Sequence, residues 1–279
     1  MPWAPQRAVV FAFAIAMVVG MPMRGRGIER PQSVVLAAAN IGEASGLLNH
    51  VLPIFTGETG IAVVVVTVTS DEVLAGARNG ESDLVLTDDP AFEQRFMDDG
   101  YGVARRSIAS ADFVVVGPIL DPAHVRGSRD AVAALAAIAA SKSPFVASGS
   151  AANALERRLW RAARITPPKG NGRWYRAVGG GMAAMLGDAA ATDAYALTDR
   201  ASWLAFAGKR DLVVAVEGDS RLVDRYDVIV VDPKLRPPDK NAAARTLADW
   251  LVSPAGQRAI AGYRVAGQPV FHSVPAAPK

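Results

Sequence analysis

Strand-like and helix-like segments alternate along almost the whole chain after residue 32. The run SVVLAAA at 33–39 is continuously apolar and of strand length, and the segment 45–60 that follows repeats apolar residues at helical spacing. Further pairs of the same kind follow, and we predict strands at 34–39, 61–69, 83–87, 113–117 and 227–232. Because parallel strands need long crossover connections, this order predicts an α/β fold with mostly parallel sheets and helices on both faces.

Two apolar runs on either side of the middle of the chain resemble each other. They are DFVVVGP at 112–118 and YDVIVVDP at 226–233. The pair fits two crossing strands between two lobes, of which one is discontinuous in sequence. We therefore predict lobe I at 33–112 and 236–275, and lobe II at 113–235, with the crossing strands as a hinge.

Residues 1–30 have the layout of a signal peptide. A short basic start is followed by a 16-residue apolar run at 8–23 and then by a polar exit. The run is short for a membrane span, which needs about 20 apolar residues. We predict export to the periplasm, with an uncleaved N-terminal membrane anchor as the alternative.

Composition argues against nucleic-acid binding and against catalysis. Of the 30 basic and 27 acidic residues, four and one lie in residues 1–30, which leaves 26 of each and no basic field for a polyanion. The chain has no cysteine and three scattered histidines, so neither disulfides nor a metal site is expected. No nucleophile elbow or phosphate-binding loop occurs. We predict a binding protein without a cofactor and without catalytic residues.

Several stretches that cover most of residues 34–265, in order and without large gaps, carry a family resemblance. Among them are SGLLNHVLPIFTGETGI at 45–61, AYALTDRASWLAF at 194–206 and DWLVSPAGQRAIAGY at 249–263. They resemble the periplasmic tungstate-binding proteins of ABC transporters. The resemblance implies a two-lobed type II periplasmic binding fold, a ligand cleft between the lobes and an ABC permease as partner.

The same resemblance implies that the ligand pocket is divergent. In the family the first turn is a run of threonines and serine, whereas this chain has Ala-Ala-Asn-Ile at 38–41. A glycine–threonine–glycine turn is replaced by Thr-Ser-Asp at 69–71, and the family's arginine by Ser148. The family's serine–glycine–threonine group falls on Ala-Asn-Ala at 152–154, and only GGGM at 179–182 is close to the family pattern.

The residue types in these turns favour a neutral or cationic ligand. A bound dianion needs several donors and usually a cation, because its desolvation is costly. Here donors are missing, and Glu43 and Asp71 place negative charge near helix N-termini. The candidate ligand-binding residues are Asn40, Thr69, Ser70, Asp71, Ser148, Ser150, Asn153, Gly180 and Gly181.

Two other functions stay open on the sequence alone. The chain could bind an oxyanion such as tungstate or molybdate through backbone N–H groups at 179–181 and an arginine that the sequence does not place. It could also use the fold for contacts with another protein. For the solute-binding function we expect a small-molecule or ion ligand, an ABC permease as a possible partner, no nucleic acid and a monomer.

Three motifs have a structural interpretation beside the functional one. The acids of SDEVL at 70–74 are typical of a helix start after a Ser70 cap. Asp88 and Asp89 before Pro90 indicate a turn at a strand end. The TDR sequence at 198–200 is explained by a helix cap and a salt bridge.

Overall fold

The computed structural model describes residues 32–39, 45–148, 153–168, 172, 174–235 and 238–273. The longer strands are β1 Ser33–Ala39, β2 Ala62–Val68, β3 Leu84–Thr87, β4 Gly102–Pro118, β5 Phe145–Ser148, β6 Tyr175–Val178, β7 Tyr195–Asp199, β8 Leu212–Val216 and β9 Val223–Val231. Three two-residue strands end the described chain: β10 Arg264–Val265, β11 Gln268–Pro269 and β12 His272–Ser273.

Nine α-helices are described between and after these strands. They are α1 Ser45–Thr59, α2 Ser70–Arg78, α3 Pro90–Asp98, α4 Ala131–Ser141, α5 Asn153–Ala162, α6 Gly181–Ala191, α7 Arg200–Ala205, α8 Pro238–Val252 and α9 Pro254–Gly262. Helix α1 shows why the sequence pattern predicted it: Leu47, Leu48, Val51 and Phe55 share one face and are all buried.

Each lobe is built around parallel strands. In lobe I, β1 pairs in parallel with β2 on one side and with β3 on the other. In lobe II, β5 pairs in parallel with β6 and β7. Since the strands of each set run the same way, their carboxyl ends lie at one edge of the sheet, where the next helix begins. This is the arrangement in which α/β proteins place ligand sites.

The long strands β4 and β9 join the two sheets. Strand β4 pairs antiparallel with β9 from Gly102 to Asp112, and then with β7 and β8 from Phe113 onwards. Apart from the β10–β11 hairpin, every antiparallel pair among the described strands involves β4 or β9. Parallel pairing thus holds within the β-α-β units, and the crossing strands are antiparallel.

The hydrophobic core is divided in the same way. One cluster contains buried residues from Phe113 to Leu222. Two others contain residues from the segments 34–111 and 226–271. Cluster membership therefore changes between Ala111 and Phe113 and again between Leu222 and Tyr226, at the two crossing strands.

These observations confirm the α/β class and the type II periplasmic binding fold. All five predicted strands are present, but β4 begins at Gly102, eleven residues before the predicted 113. Strand β6 was not predicted. The lobe boundaries stay a prediction, and the leader at 1–30 lies outside the described residues. Within the described part, no helix combines the length and apolar character needed to cross a bilayer.

Candidate functional site

The second predicted turn forms the start of α2. Thr69 is the N-cap: the Glu72 N–H donates to Thr69 Oγ1 at 3.3 Å, and the Thr69 N–H donates to Glu72 Oε2 at 2.7 Å. The Thr69 hydroxyl also donates to Glu72 Oε2, at 2.9 Å. These bonds to Thr69 hold the pKa of Glu72 below its ordinary range. The prediction of Ser70 as the cap was wrong, because the reciprocal capping box selects the residue three positions before Glu72.

This capping leaves little donor capacity at the end of β2. The hydroxyl of Thr69 is occupied by Glu72, and Ser70 is the first residue of the helix and has an interaction partner. Asp71 is exposed in the first turn of α2. Glu72 therefore accepts from the capping residue, and Asp71 adds a second negative charge in the first turn, where an incoming anion would otherwise bind.

Two predicted residue groups of lobe II meet at the carboxyl ends of β5 and β6. Ser148 is the last residue of β5, is 1% exposed, and lies opposite Val178 in the parallel register. Val178 is followed by Gly180 and Gly181, which have φ angles of 90° and 76°. Helix α6 starts at Gly181, and Gly180 is its N-cap, without a side-chain cap. The register of β5 with the unpredicted strand β6 brings Ser148 beside this glycine turn.

The structure does not describe the side chains of the other three predicted ligand-binding residues, Asn40, Ser150 and Asn153. Asn40 and Ser150, together with Glu43, lie outside the described residues. Asn153 is the first residue of α5, and the structure describes its backbone position only. Their role in binding stays a prediction.

A charged cluster that sequence reasoning missed joins elements from both lobes. Arg158 projects from α5, whose Leu155 and Leu159 belong to the core of lobe II. Its Nη2 atom lies 3.5 Å from Oδ1 of Asp224 on β9. The helical periodicity of α5 was visible in sequence, but the strand segment that faces it was not. Of the two neighbouring arginines, Arg157 and Arg158, it is Arg158 that pairs with Asp224.

Asp88 completes this cluster at the carboxyl end of β3. Burial raises its pKa from 3.8 to about 7, and the nearby Asp224 and Asp89 carboxylates add to the effect while Arg158 opposes it. Burial also raises the pKa of Asp224. Asp89 caps α3 by accepting from the N–H groups of Ala91 and Phe92, as the predicted strand-end turn requires.

A second group of charged side chains lies where β4 and β9 pair, next to α3. The Ser107 hydroxyl donates to Asp227 Oδ1 at 2.6 Å. Arg105 Nη1 lies 3.4 Å from Glu93 Oε2, and Arg105 Nε lies 3.6 Å from Asp227 Oδ2. Burial, and then the Asp227 charge, raise the pKa of Glu93 to about 7. Arg105 is therefore already engaged with two carboxylates and is not a free cation for a ligand.

The TDR motif has a structural role. Asp199 caps α7 by accepting from the Ser202 N–H at 2.7 Å. Arg200 forms a two-pronged pair with Asp112 on β4, with contacts of 2.6–3.0 Å, and also donates to Glu217. Both parts of the structural interpretation are confirmed. Within the described part of the chain, no group of three or more His, Asp or Glu side chains is arranged to hold a metal ion.

Comparisons with known proteins identify the family to which this fold belongs. The family model of the PBP superfamily domain matches residues 29–255. The tungstate-binding protein TupA of Peptoclostridium acidaminophilum is 33% identical over 253 residues, which cover 88% of this chain and 87% of the relative.

Two solved structures show the same relationship. The tungstate-binding protein TupA of Desulfovibrio alaskensis G20 has 32% identity and a TM-score of 0.80, over 87% of this chain and 99% of that one. The tungstate ABC transporter protein of Geobacter sulfurreducens has 33% identity and a TM-score of 0.70, over 83% and 98%. The chain therefore belongs to the PBP superfamily and, within it, to the family of tungstate-binding solute-binding proteins. The resemblance read from the sequence is confirmed.

Proposed function

We propose that this protein is the periplasmic solute-binding component of an ABC-type uptake system and that its ligand is neutral or cationic. The ligand lies in the cleft where the carboxyl ends of β1–β3 meet those of β5–β7. Binding favours a closed arrangement of the lobes through motion at the crossing strands, and the permease recognises the closed form. Family membership and the described parts of the cleft support this role, in which no catalytic step takes place.

The observation that carries the choice of ligand is the charge balance at these strand ends. Asp71, Glu72 and Asp224 are acidic, the raised pKa of Asp88 leaves about half of its charge near pH 7, and Arg158 is paired with Asp224. A dianion placed here would lose its hydration and meet more carboxylates than cations, which disfavours binding. A neutral or positively charged ligand meets no such penalty.

The experiment that tests this proposal is calorimetry of the purified protein with tungstate and molybdate. We expect dissociation constants weaker than about 10 μM, which corresponds to about −6.8 kcal/mol. A thermal-shift screen with divalent metals, amines and neutral metabolites identifies the class of ligand that does bind. The Desulfovibrio alaskensis TupA serves as the positive control for tungstate. A nanomolar constant for either anion with this chain would overturn the proposed ligand class.

One observation favours an oxyanion instead, and it defines the second candidate function. Helix α6 begins after two glycines and has no side-chain cap, so its first N–H groups lack the partner that Thr69 provides in α2. Such a helix start can hold an anion. In this second candidate the protein is a true tungstate or molybdate binder that uses these backbone amides. The same calorimetry separates the two candidates, because only this one gives tight dianion binding.

We further propose the molecular context of this function. Residues 1–30 act as the export signal, lobe I comprises about 33–112 and 236–275, lobe II about 113–235, and the protein is a monomer that binds no nucleic acid. N-terminal sequencing of the native protein should find a start between Gly20 and Gln32. An intact Met1 on a membrane-bound protein would support the uncleaved anchor.

A further inference from the structure

A second pocket opens beside the crossing strand β4, and none of its residues belongs to the candidate ligand turns. Its volume is about 380 Å³. Asp112 of β4 and Arg200 of α7 form one wall, and the segment 127–129 before α4 forms another. The end of β8, with Glu217 and Gly218 after it, completes the lining.

The walls of this pocket are held in place by hydrogen bonds. The Gly127 N–H donates to the Ala215 carbonyl at 2.8 Å, and Ser128 forms a β-bridge with Val216. Gly127 and Gly218 have φ angles of 84° and 78°, which favour glycine. The Arg200–Asp112 pair fixes the opposite wall. A site with such walls does not have to be ordered when a ligand enters.

The two arginines of the pocket are balanced in formal charge by Asp112 and Glu217, but both carboxylates pair with Arg200. Arg200 uses Nε and Nη2 for Asp112 and Glu217, and its Nη1 makes no hydrogen bond with a described residue. Arg129 is exposed, its stem passes about 4.0 Å from a Cβ position on Gly218, and its guanidinium has no ion pair within the described part of the chain. Arginine donors of this kind bind carboxylates in a planar, two-pronged geometry.

The apolar part of the lining indicates an organic ligand. Val214 is half-buried and contributes aliphatic surface to the same pocket, whereas Ala215 beside it is 2% exposed. A small inorganic ion would leave that surface unused, whereas a short carbon chain would cover it. We propose that this pocket binds a small organic carboxylate, with the carboxylate on Arg129 and on Nη1 of Arg200, and the carbon chain on Val214. This inference does not depend on the proposed cleft ligand.

The test is an NMR titration of the isotopically labelled protein with butyrate and with succinate, at constant ionic strength. We expect saturable shifts of the backbone amides of Ser128, Arg129 and Gly218. Arg129→Ala should weaken binding at least about tenfold, since it removes a charge-assisted contact. Arg161→Ala is the matched control, because Arg161 is also an exposed, unpaired arginine of the described lobe II, and it should leave the affinity unchanged.

Four outcomes would overturn the proposal. They are the absence of saturable shifts up to about 50 mM, equal affinity of the Arg129→Ala variant, equal shifts with chloride or sulfate, and shifts confined to Gly180 and Gly181. The last outcome would assign the carboxylate to the cleft. The amide spectrum of each variant also reports directly whether the variant is folded, so loss of binding and loss of structure are distinguished.

Discussion

Glu156 shows at the scale of one residue how the elements beneath the glycine turn are tied together. It is 2% exposed, and its Oε1 accepts from Trp160 Nε1 at 2.9 Å and from the Tyr175 hydroxyl at 2.8 Å. Burial raises the pKa of this carboxyl, and the two donors oppose that rise. Since Glu156 lies on α5 and Tyr175 on β6, the bonds join the helix that begins at Asn153 to the strand that precedes the glycine turn.

Removing this carboxylate should destabilise the protein. Glu156→Ala leaves the buried Trp160 N–H and the half-buried Tyr175 hydroxyl without this partner, and we expect a loss of about 3 kcal/mol in the free energy of unfolding. Glu156→Gln keeps a carbonyl oxygen that can accept both bonds, so its loss should be about 1 kcal/mol. Urea denaturation of both variants measures the difference. Equal losses would mean that the two hydrogen bonds do not carry the stabilisation.

Asp88 should make stability depend on pH. Its pKa is raised to about 7 in the folded protein, so between about pH 4 and pH 7 the folded state holds a proton that the unfolded state has released. Stability from this group is therefore present at low pH and lost as pH rises towards 7. Asp88→Asn removes the titration, and its stability relative to the wild type should increase from pH 5 to pH 8.

The measurement is the free energy of urea unfolding at the two pH values. The pKa of Glu93 is also raised, so Glu93 likewise lowers the free energy of unfolding as pH rises. The Asp88→Asn variant should therefore still lose some stability between pH 5 and pH 8, but less than the wild type. Asp98→Asn, at an exposed position in α3, is the control and should follow the wild type. Parallel behaviour of Asp88→Asn and the wild type would contradict the prediction.

At the scale of elements, the start of α6 depends on backbone conformation rather than on a side-chain cap. Gly180 and Gly181 both have positive φ, whereas Gly179 does not. The left-handed conformation costs a residue with a Cβ about 1–2 kcal/mol. The glycine-rich sequence indicated a flexible turn or an anion cradle, and only the dihedral angles distinguish which of the three glycines the helix start requires.

Alanine substitutions at this turn should have unequal effects. A Cβ on Gly181 or on Gly179 meets no atom within 4 Å, so the two positions differ in backbone conformation alone. Gly181→Ala should lower the free energy of unfolding by about 1 kcal/mol, and Gly179→Ala should leave it nearly unchanged. Thermal denaturation of both variants provides the comparison. A larger loss for Gly179→Ala would refute this explanation of the helix start.

At the scale of the whole molecule, the two lobes share their central strands. Strand β4 contributes Ile108 and Ala109 to the core of lobe I and Phe113 to Val116 to the core of lobe II. The strand is continuous through this change. Unfolding of one lobe therefore disrupts β4, which the core of the other lobe also needs.

We expect the described fold to unfold as one cooperative unit. In differential scanning calorimetry the calorimetric and van't Hoff enthalpies should agree, as they do for a two-state transition. Hydrogen exchange near the midpoint should expose β1 in lobe I and β5 in lobe II together. Two resolved transitions, or earlier exchange of one strand, would mean that the shared strands do not couple the lobes.

The local pattern of the sequence determined the β-α-β order and the parallel strand units, because burial periodicity and turn chemistry are local properties. The family was indicated by the resemblance of whole stretches of the sequence. Tertiary structure decided that β4 begins at Gly102: the stretch around Arg105 and Arg106 is too polar to indicate a strand, and its pairing with β9 makes it one. It also decided which arginine faces Asp224, since adjacent helical residues point about 100° apart. The raised pKa of Asp88 likewise depends on burial and on the charges of Asp224 and Arg158, which are distant in sequence. A local sequence pattern therefore does not predict it.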